Sequence, residues 1–169
     1  MPINVSTLRA ASARRRPDEA RSLQEAHALH LKTVFLCHSH RDSDFVTGLV
    51  TLLREAGWRI YVDWADASMP DRPNRETAAR IKQRIVSTHY FLFLATSNSM
   101  ASRWCPWEIG YADGKKPIDA ILICPTTDGM TTHGSEYLDL YRRVDVSTAL
   151  QLAVWQPGDT HNGILVSSL

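Results

Sequence analysis

Apolar residues along this chain keep two rhythms, and the two alternate. Thr33-Val34-Phe35-Leu36-Cys37 is a short continuous apolar run, the pattern of a strand buried on both faces of a parallel sheet. It stops at the polar stretch His38-Ser39-His40-Arg41-Asp42. Asp42 or Ser43 is placed to cap a helix that keeps Phe45, Val46, Leu49, Leu52 and Leu53 on one side and ends at Gly57. Trp58 to Val62 reads as a second strand leading into Asp63. The following link, Trp64 to Pro73, is long for a strand-to-helix connection, and such loops are functional or mobile. Asn74 caps the next helix, with Thr77, Ile81 and Ile85 on one face. Tyr90 to Ala95, the most apolar run, is the third strand, and Ser97 to Gly110 joins it to a helix. A fourth strand from Ala120 to Cys124, a polar loop through Gly134 and a weaker fifth element near Val144 complete the pattern.

Strand and helix alternate with crossovers too long for hairpins. The expected class is therefore α/β: a single domain built on a flavodoxin-like, doubly wound parallel sheet of five strands in the order 2-1-3-4-5. Residues 1–31 stand outside it. The first sixteen, rich in Ala, Ser and Arg and ending in Arg14-Arg15-Arg16, are expected to form a flexible tail. Pro17 to His30 reads as a short helix with a narrow apolar face of Leu23, Ala26 and Leu29. The domain proper then covers residues 32–169.

In a sheet of that order, ligands bind beyond the carboxyl ends of the strands, at the switch point between strands 1 and 3. The two exits meeting there are His38 to Asp42 and Ser97 to Glu108. Pro106 marks the first turn of the helix that carries Glu108, where a carboxylate gains from the helix dipole and should stay ionised. Trp104 and Trp107 flank it, and aromatic faces beside a fixed anion suit a flat cationic ligand. Locally, core tryptophans and a helix-start carboxylate explain the same residues. The place at the switch point is what favours a site.

Composition narrows the function classes. With 169 residues, 44% hydrophobic and 22% charged, and a net charge of +1, the chain has no electrostatic reason to seek nucleic acid or a membrane surface. Three cysteines, Cys37, Cys105 and Cys124, fit neither a disulfide framework nor paired metal knuckles, so a cytoplasmic location is expected. No apolar run approaches the roughly 18 residues of a membrane span. The two common phosphate cradles are missing after the first strand, and His38 and Ser39 stand where a receiver domain would hold metal-binding acids. His38 and His40 have no third ligand nearby, so no metal and no resident cofactor is expected. Cys37 and Cys105 lack a partnered base and read as buried structural cysteines.

Three stretches, Val34-Phe35-Leu36-Cys37-His38-Ser39-His40-Arg41-Asp42, Ile60-Tyr61-Val62-Asp63-Trp64 and Ser102-Arg103-Trp104-Cys105-Pro106-Trp107-Glu108, together resemble the Toll/interleukin-1 receptor (TIR) domain family in its stand-alone prokaryotic form. They match its first strand and exit loop, its second strand leading into the BB loop, and its Ser-x-Trp-Cys-x-x-Glu segment. The resemblance covers about Lys32 to Val146. It implies cleavage of NAD+ at the nicotinamide-ribose bond, with Glu108 catalytic and NAD+ as substrate. Trp104 would line the pocket, and Ser39, Arg41 and Trp64 are further substrate-binding candidates, Arg41 being the natural partner of phosphate oxygens. Nicotinamide leaves neutral, and the fixed carboxylate stabilises the positive charge that builds on the ribose. Capture by water gives ADP-ribose; capture by the adenine or a ribose hydroxyl gives a cyclic isomer. The resemblance also implies TIR-TIR self-association, head-to-tail in many active members, and a role in bacterial anti-phage defence in which a separate effector senses the product. Two other readings stand beside it: a non-catalytic TIR interaction module, and another N-glycosidic enzyme such as a nucleoside deoxyribosyltransferase. The loop from Trp64 to Pro73 departs from the family, with Pro70 and Pro73 where many BB loops have glycine.

Overall fold

The continuous apolar runs become the central strands, because only a strand covered on both faces can bury every residue of such a run. The computed structural model describes residues 1–14, 22–58, 60–64, 74–137 and 139–169. In chain order its elements are β1 (Ile3–Asn4), α1 (Val5–Ser12), α2 (Leu23–Ala28), β2 (Lys32–Cys37), α3 (Ser43–Glu55), β3 (Ile60–Trp64), α4 (Arg75–Ser87), β4 (Tyr90–Ala95), α5 (Ser97–Met100), α6 (Cys105–Asp113), β5 (Ile121–Thr127), β6 (Thr132–His133), β7 (Arg142–Val146), β8 (Leu152–Trp155) and β9 (Ile164–Leu165). The main sheet runs β3-β2-β4-β5-β7-β8-β9. Its first five members are parallel and reproduce the 2-1-3-4-5 order, so the fold is the flavodoxin-like arrangement the alternation implies. Among the described residues the sheet is larger than five strands: β8 and β9 extend it as antiparallel edge strands, and the two-residue β1 and β6 pair with the end of β5.

Alternation along the strands divides the core. Val34, Leu36, Leu92 and Leu94 face α1 and α3, where Leu8, Val46, Leu49 and Leu53 pack. Phe35, Cys37, Phe91 and Phe93 face α4 and α6, where Ile81, Ile85, Cys105 and Ile109 pack. Asn74 caps α4 as its sequence suggests, accepting a hydrogen bond from the Thr77 amide at 2.7 Å. Among the described residues no helix is long and apolar enough to cross a membrane.

The N-terminal residues differ from the expected tail. Ile3 pairs beside Thr126, Asn4 caps α1 by accepting from the Ser6 amide, and Leu8 and Ala11 are fully buried. What holds them is a close approach of α1 to α3 that only glycine allows. A Cβ on Gly48 would run into the Leu8 carbonyl and lie 2.9 Å from its Cα. Arg14 adds a paired contact with Glu55, at 3.1 and 3.0 Å. Of the helix expected over Pro17 to His30, the described part is α2, capped by Ser22. Residues 15–21 lie outside the described residues, and Leu29 is half exposed rather than packed.

Gly48→Ala is expected to destabilise the protein by about 1 to 3 kcal/mol, the usual cost of overpacking a tight contact. Urea unfolding measures this, and an unchanged midpoint would mean that α1 does not rest on α3.

Candidate active site

At the carboxyl end of the sheet, β2 and β4 lie side by side and their chains leave to opposite faces, β2 toward α3 and β4 through α5 toward α6. The crevice between two such exits is where sheets of this order bind their ligands. Asp42 ties them together: it is 1% exposed and accepts hydrogen bonds from Thr96 Oγ1 at 2.6 Å and Asn98 Nδ2 at 2.7 Å. The sequence suggests a capping role for this residue. Asp42 does occupy the N-cap position of α3, but it makes no side-chain cap bond there and reaches across the crevice instead. Thr96 is fixed in turn by a reciprocal capping box with Ser99 at the start of α5.

On the β2 side, His38 Nδ1 lies 2.9 Å from the Leu36 carbonyl, and burial pushes its pKa below the ordinary value. Ser39 is buried, and its hydroxyl accepts from the Arg41 amide at 3.3 Å, closing a short 3-10 turn. The Arg41 side chain is exposed on the rim. Trp64 ends β3 with its backbone paired beside Leu36, so the chain leaves the sheet next to the β2 exit. Its side chain, and the rest of the loop through Pro73, lie outside the described residues.

On the β4 side, the Ser102 hydroxyl accepts from the amides of Trp104 and Cys105 at 3.1 and 3.4 Å, and Pro106 sits in the first turn of α6. Cys105 and Glu108, one turn apart, face the sheet; the carboxylate residue is only 3% exposed. Cys37 at the end of β2 is buried on this same side of the sheet, packed with Cys105 and Ile109. Burial pushes the Glu108 carboxyl up to about 7, and the nearby Cys37 thiol works against that rise. The helix dipole therefore does not keep Glu108 firmly ionised, as its position in the sequence suggests; loss of water outweighs the dipole. Tyr137, on the turn after β6, packs edge-on against Phe93 at 5.6 Å, and burial raises the pKa of its phenol.

The aromatic residues separate into two roles. Trp107 stacks on Tyr111 at 6.0 Å, and Lys82 Nζ from α4 sits 5.6 and 5.3 Å from their ring centres. That pair already holds a cation of the protein's own. Trp104 packs edge-on against Trp107 at 5.5 Å, and its carbonyl accepts from the Glu108 amide at 2.9 Å. It remains half-buried one turn before the carboxylate.

Of the residues singled out in the sequence, Glu108 and Trp104 share one helix turn, and Ser39 follows two residues after Cys37, which faces α6. Arg41 stands further out. Three contributors were not evident beforehand: the Asp42 bridge, Tyr137, and Cys37 as part of the buried surroundings of α6. Period-two alternation along β2 could have placed Cys37 on the α6 side. Nothing local marks Tyr137, which arrives from a turn far along the chain.

Comparison with known proteins agrees with this geometry. The family model for the TIR domain matches residues 34–153. A Bacillus cereus (strain MSX-D12) protein, described as a probable 3' cyclic ADP-D-ribose synthase and named ThsB', is 35% identical over 128 residues, which is 72% of this chain and 66% of the relative. A Cytobacillus dafuensis protein whose name, TIR2, is attached to a proposed cyclic ADP-D-ribose synthase activity is 31% identical over 96 residues, 54% of this chain and 24% of that protein. The chain thus spans less than two thirds of the length of either relative. With the five parallel strands in the 2-1-3-4-5 order and 120 consecutive residues (34 to 153) matched, the chain belongs to the TIR domain family.

Proposed function

We propose that the protein cleaves NAD+ at the nicotinamide-ribose bond, with Glu108 as the catalytic carboxylate. The observation that carries this reading is the burial of Glu108 at the switch point, where among the described residues the carboxylate takes part in no ion pair. A glutamate with a purely structural role would be paired or left in water, because a buried carboxylate is costly. In this reading Trp104 stacks on the flat nicotinamide, Ser39 and Trp64 serve the ribose, and Arg41 pairs with the pyrophosphate oxygens. The relatives' names support NAD+ as the substrate.

The chemistry follows from the charges. NAD+ brings a positive ring next to Glu108 and favours its ionised form on binding. As the glycosidic bond breaks, the positive charge moves from the ring to the ribose, and the carboxylate in its dry site stabilises the developing oxocarbenium ion. Nicotinamide departs neutral and needs no proton donor. The names of both relatives favour capture of the ribose by a group within the nucleotide over capture by water. The product would then be a cyclic ADP-ribose isomer suited to signalling to a separate effector, as in anti-phage defence. Assembly of TIR copies head-to-tail would complete the crevice from a neighbouring subunit.

Purified protein at high concentration, incubated with NAD+, is expected to release nicotinamide, and Glu108→Gln should lower the rate by about 100-fold or more. Chromatography with mass spectrometry reads both the rate and the mass of the nucleotide product. A folded, self-associated wild type that leaves NAD+ intact would overturn the reading in favour of a binding module. In the active enzyme kcat/KM should rise with pH along a one-proton limb with its midpoint at about 7.

The same carboxyl should weaken the fold. Its folded-state pKa lies above the ordinary 4.5, so its contribution to stability is full below 4.5 and is lost as pH rises through about 7. Glu108→Gln, which cannot ionise, is expected to be more stable than wild type at pH 8 by up to about 3 kcal/mol, with the difference vanishing near pH 4.5. Urea unfolding at the two pH values checks this, and equal stability at pH 8 would contradict it.

A further inference from the structure

We propose that Asp42 is a positioning residue for Glu108: by bridging the exits of β2 and β4 it sets the path of the chain that delivers α6. The inference rests on the reading of Glu108 as the catalytic group and adds a residue to it.

Asp42 stands where a helix begins and does not serve that helix. It occupies the N-cap position of α3 with no side-chain cap bond. Its Oδ2 accepts instead from Thr96 Oγ1 at 2.6 Å and its Oδ1 from Asn98 Nδ2 at 2.7 Å, partners 54 and 56 residues away. The residue is 1% exposed and, among the described residues, forms no ion pair. A buried carboxylate is costly without strong partners, and these two bonds are what the fold supplies. A residue needed only to start α3 would turn its side chain to that helix. The Asp42 amide also donates to the Ser39 carbonyl at 2.9 Å, so the bridge is fixed to the first exit loop at its own end.

From the bridge, hydrogen bonds continue to the turn that carries Glu108. Thr96 and Ser99 hold each other, the Thr96 amide donating to Ser99 Oγ at 2.8 Å and the Ser99 amide to Thr96 Oγ1 at 3.0 Å. Ser99 Oγ also donates to the Leu94 carbonyl at 2.8 Å, which ties the pair to β4. The Ser102 amide donates to the Ser99 carbonyl at 3.1 Å. The Ser102 hydroxyl accepts from the Trp104 and Cys105 amides at 3.1 and 3.4 Å, and the Trp104 carbonyl from the Glu108 amide at 2.9 Å. Asp42, Thr96, Ser99 and Glu108 are all buried, so water does not readily replace a lost partner. A change at Asp42 is therefore taken up by displacement of the chain leading to α6. Small displacements of a catalytic group are enough to slow a reaction severely.

The test breaks the bridge and then rebuilds it with its parts exchanged. Asp42→Asn removes the charge and leaves one amide facing another at Asn98. Asp42→Asn combined with Asn98→Asp restores both bonds: the amide at position 42 donates to the carboxylate at position 98, and its carbonyl still accepts from Thr96. Nicotinamide release from NAD+ should fall by about 10- to 100-fold in the single variant and recover most of that loss in the pair. The Glu108 carboxyl midpoint, followed by 13C NMR in uniformly labelled protein, should fall from about 7 toward 4.5 in the single variant and rise again in the pair. A single variant that keeps the wild-type midpoint, or a pair that recovers neither rate nor midpoint, would overturn the positioning role. Should Asp42→Asn fail to fold, Asn98→Ala, which removes one of the two bonds at a half-buried position, decides instead. A lowered midpoint there supports the role and an unmoved one sinks it. The titration requires no turnover, so a wild type that leaves NAD+ intact would remove the functional reading while the midpoints still judge the role of Asp42.

Discussion

Two neighbouring parallel strands, β2 and β4, send their chains to opposite faces of the sheet, and the crevice this leaves must be held at a fixed width. The buried Asp42 carboxylate does that, bridging from the β2 exit to Thr96 and Asn98 at the β4 exit with two short hydrogen bonds. Hydrogen bonds to a charged acceptor are the strong ones, and here they are shielded from water. Because Thr96 also starts α5, and α5 leads into α6, the bridge fixes the direction in which α6 arrives. The placement of Glu108 against β2 depends on that direction. A helix arriving a few degrees away would let water reach the carboxyl, and its pKa would fall back toward the ordinary range.

Burial is what makes Glu108 useful and also what makes it costly. In water a carboxylate stabilises a nearby positive charge weakly; in a dry cavity the same pair interacts far more strongly. The fold reaches that condition by surrounding the carboxyl with apolar and thiol groups and placing it at the start of a helix, where the dipole limits the penalty. The resulting pKa of about 7 lies close to neutral pH, where a group can change protonation as a cationic substrate arrives. The ladder of Trp107, Tyr111 and Lys82 closes the outer side of the helix and leaves Trp104 as the aromatic face nearest the carboxylate.

Much of this was legible in the residues. The strands β2 and β4 declare themselves as unbroken apolar runs, α3 and α4 by their periodicity and caps, and the parallel order by the length of the crossovers. The edge of the sheet was not legible. The two-residue β1, β6 and β9 carry no periodicity, and their pairing is decided by what they land beside. The N-terminal residues look too polar to fold alone, and their docking is licensed by Gly48, more than thirty residues away on α3. The site divides in the same way. Glu108 and Trp104 are visible as local chemistry next to Pro106. The Asp42 bridge looks like an ordinary helix cap until its partners 54 and 56 residues away are brought near. The ionisation of Glu108 is not legible in the same way, because a dipole follows from sequence position, whereas desolvation depends on residues from β2 and β4 that only the fold assembles.

The measurement that bears most directly on the account is the location of bound NAD+. In 15N-labelled Glu108→Gln, which should bind without turning over, NAD+ is expected to shift the amide signals of Ser39, Arg41, Thr96 and Trp104 together with the Trp104 indole. Those of the groove between α3 and β9, lined by Leu52, Glu55, Gln151 and Leu165, should stay in place. Shifts confined to that groove, or none at saturating NAD+, would contradict the claim that the crevice between β2 and β4 is the substrate site.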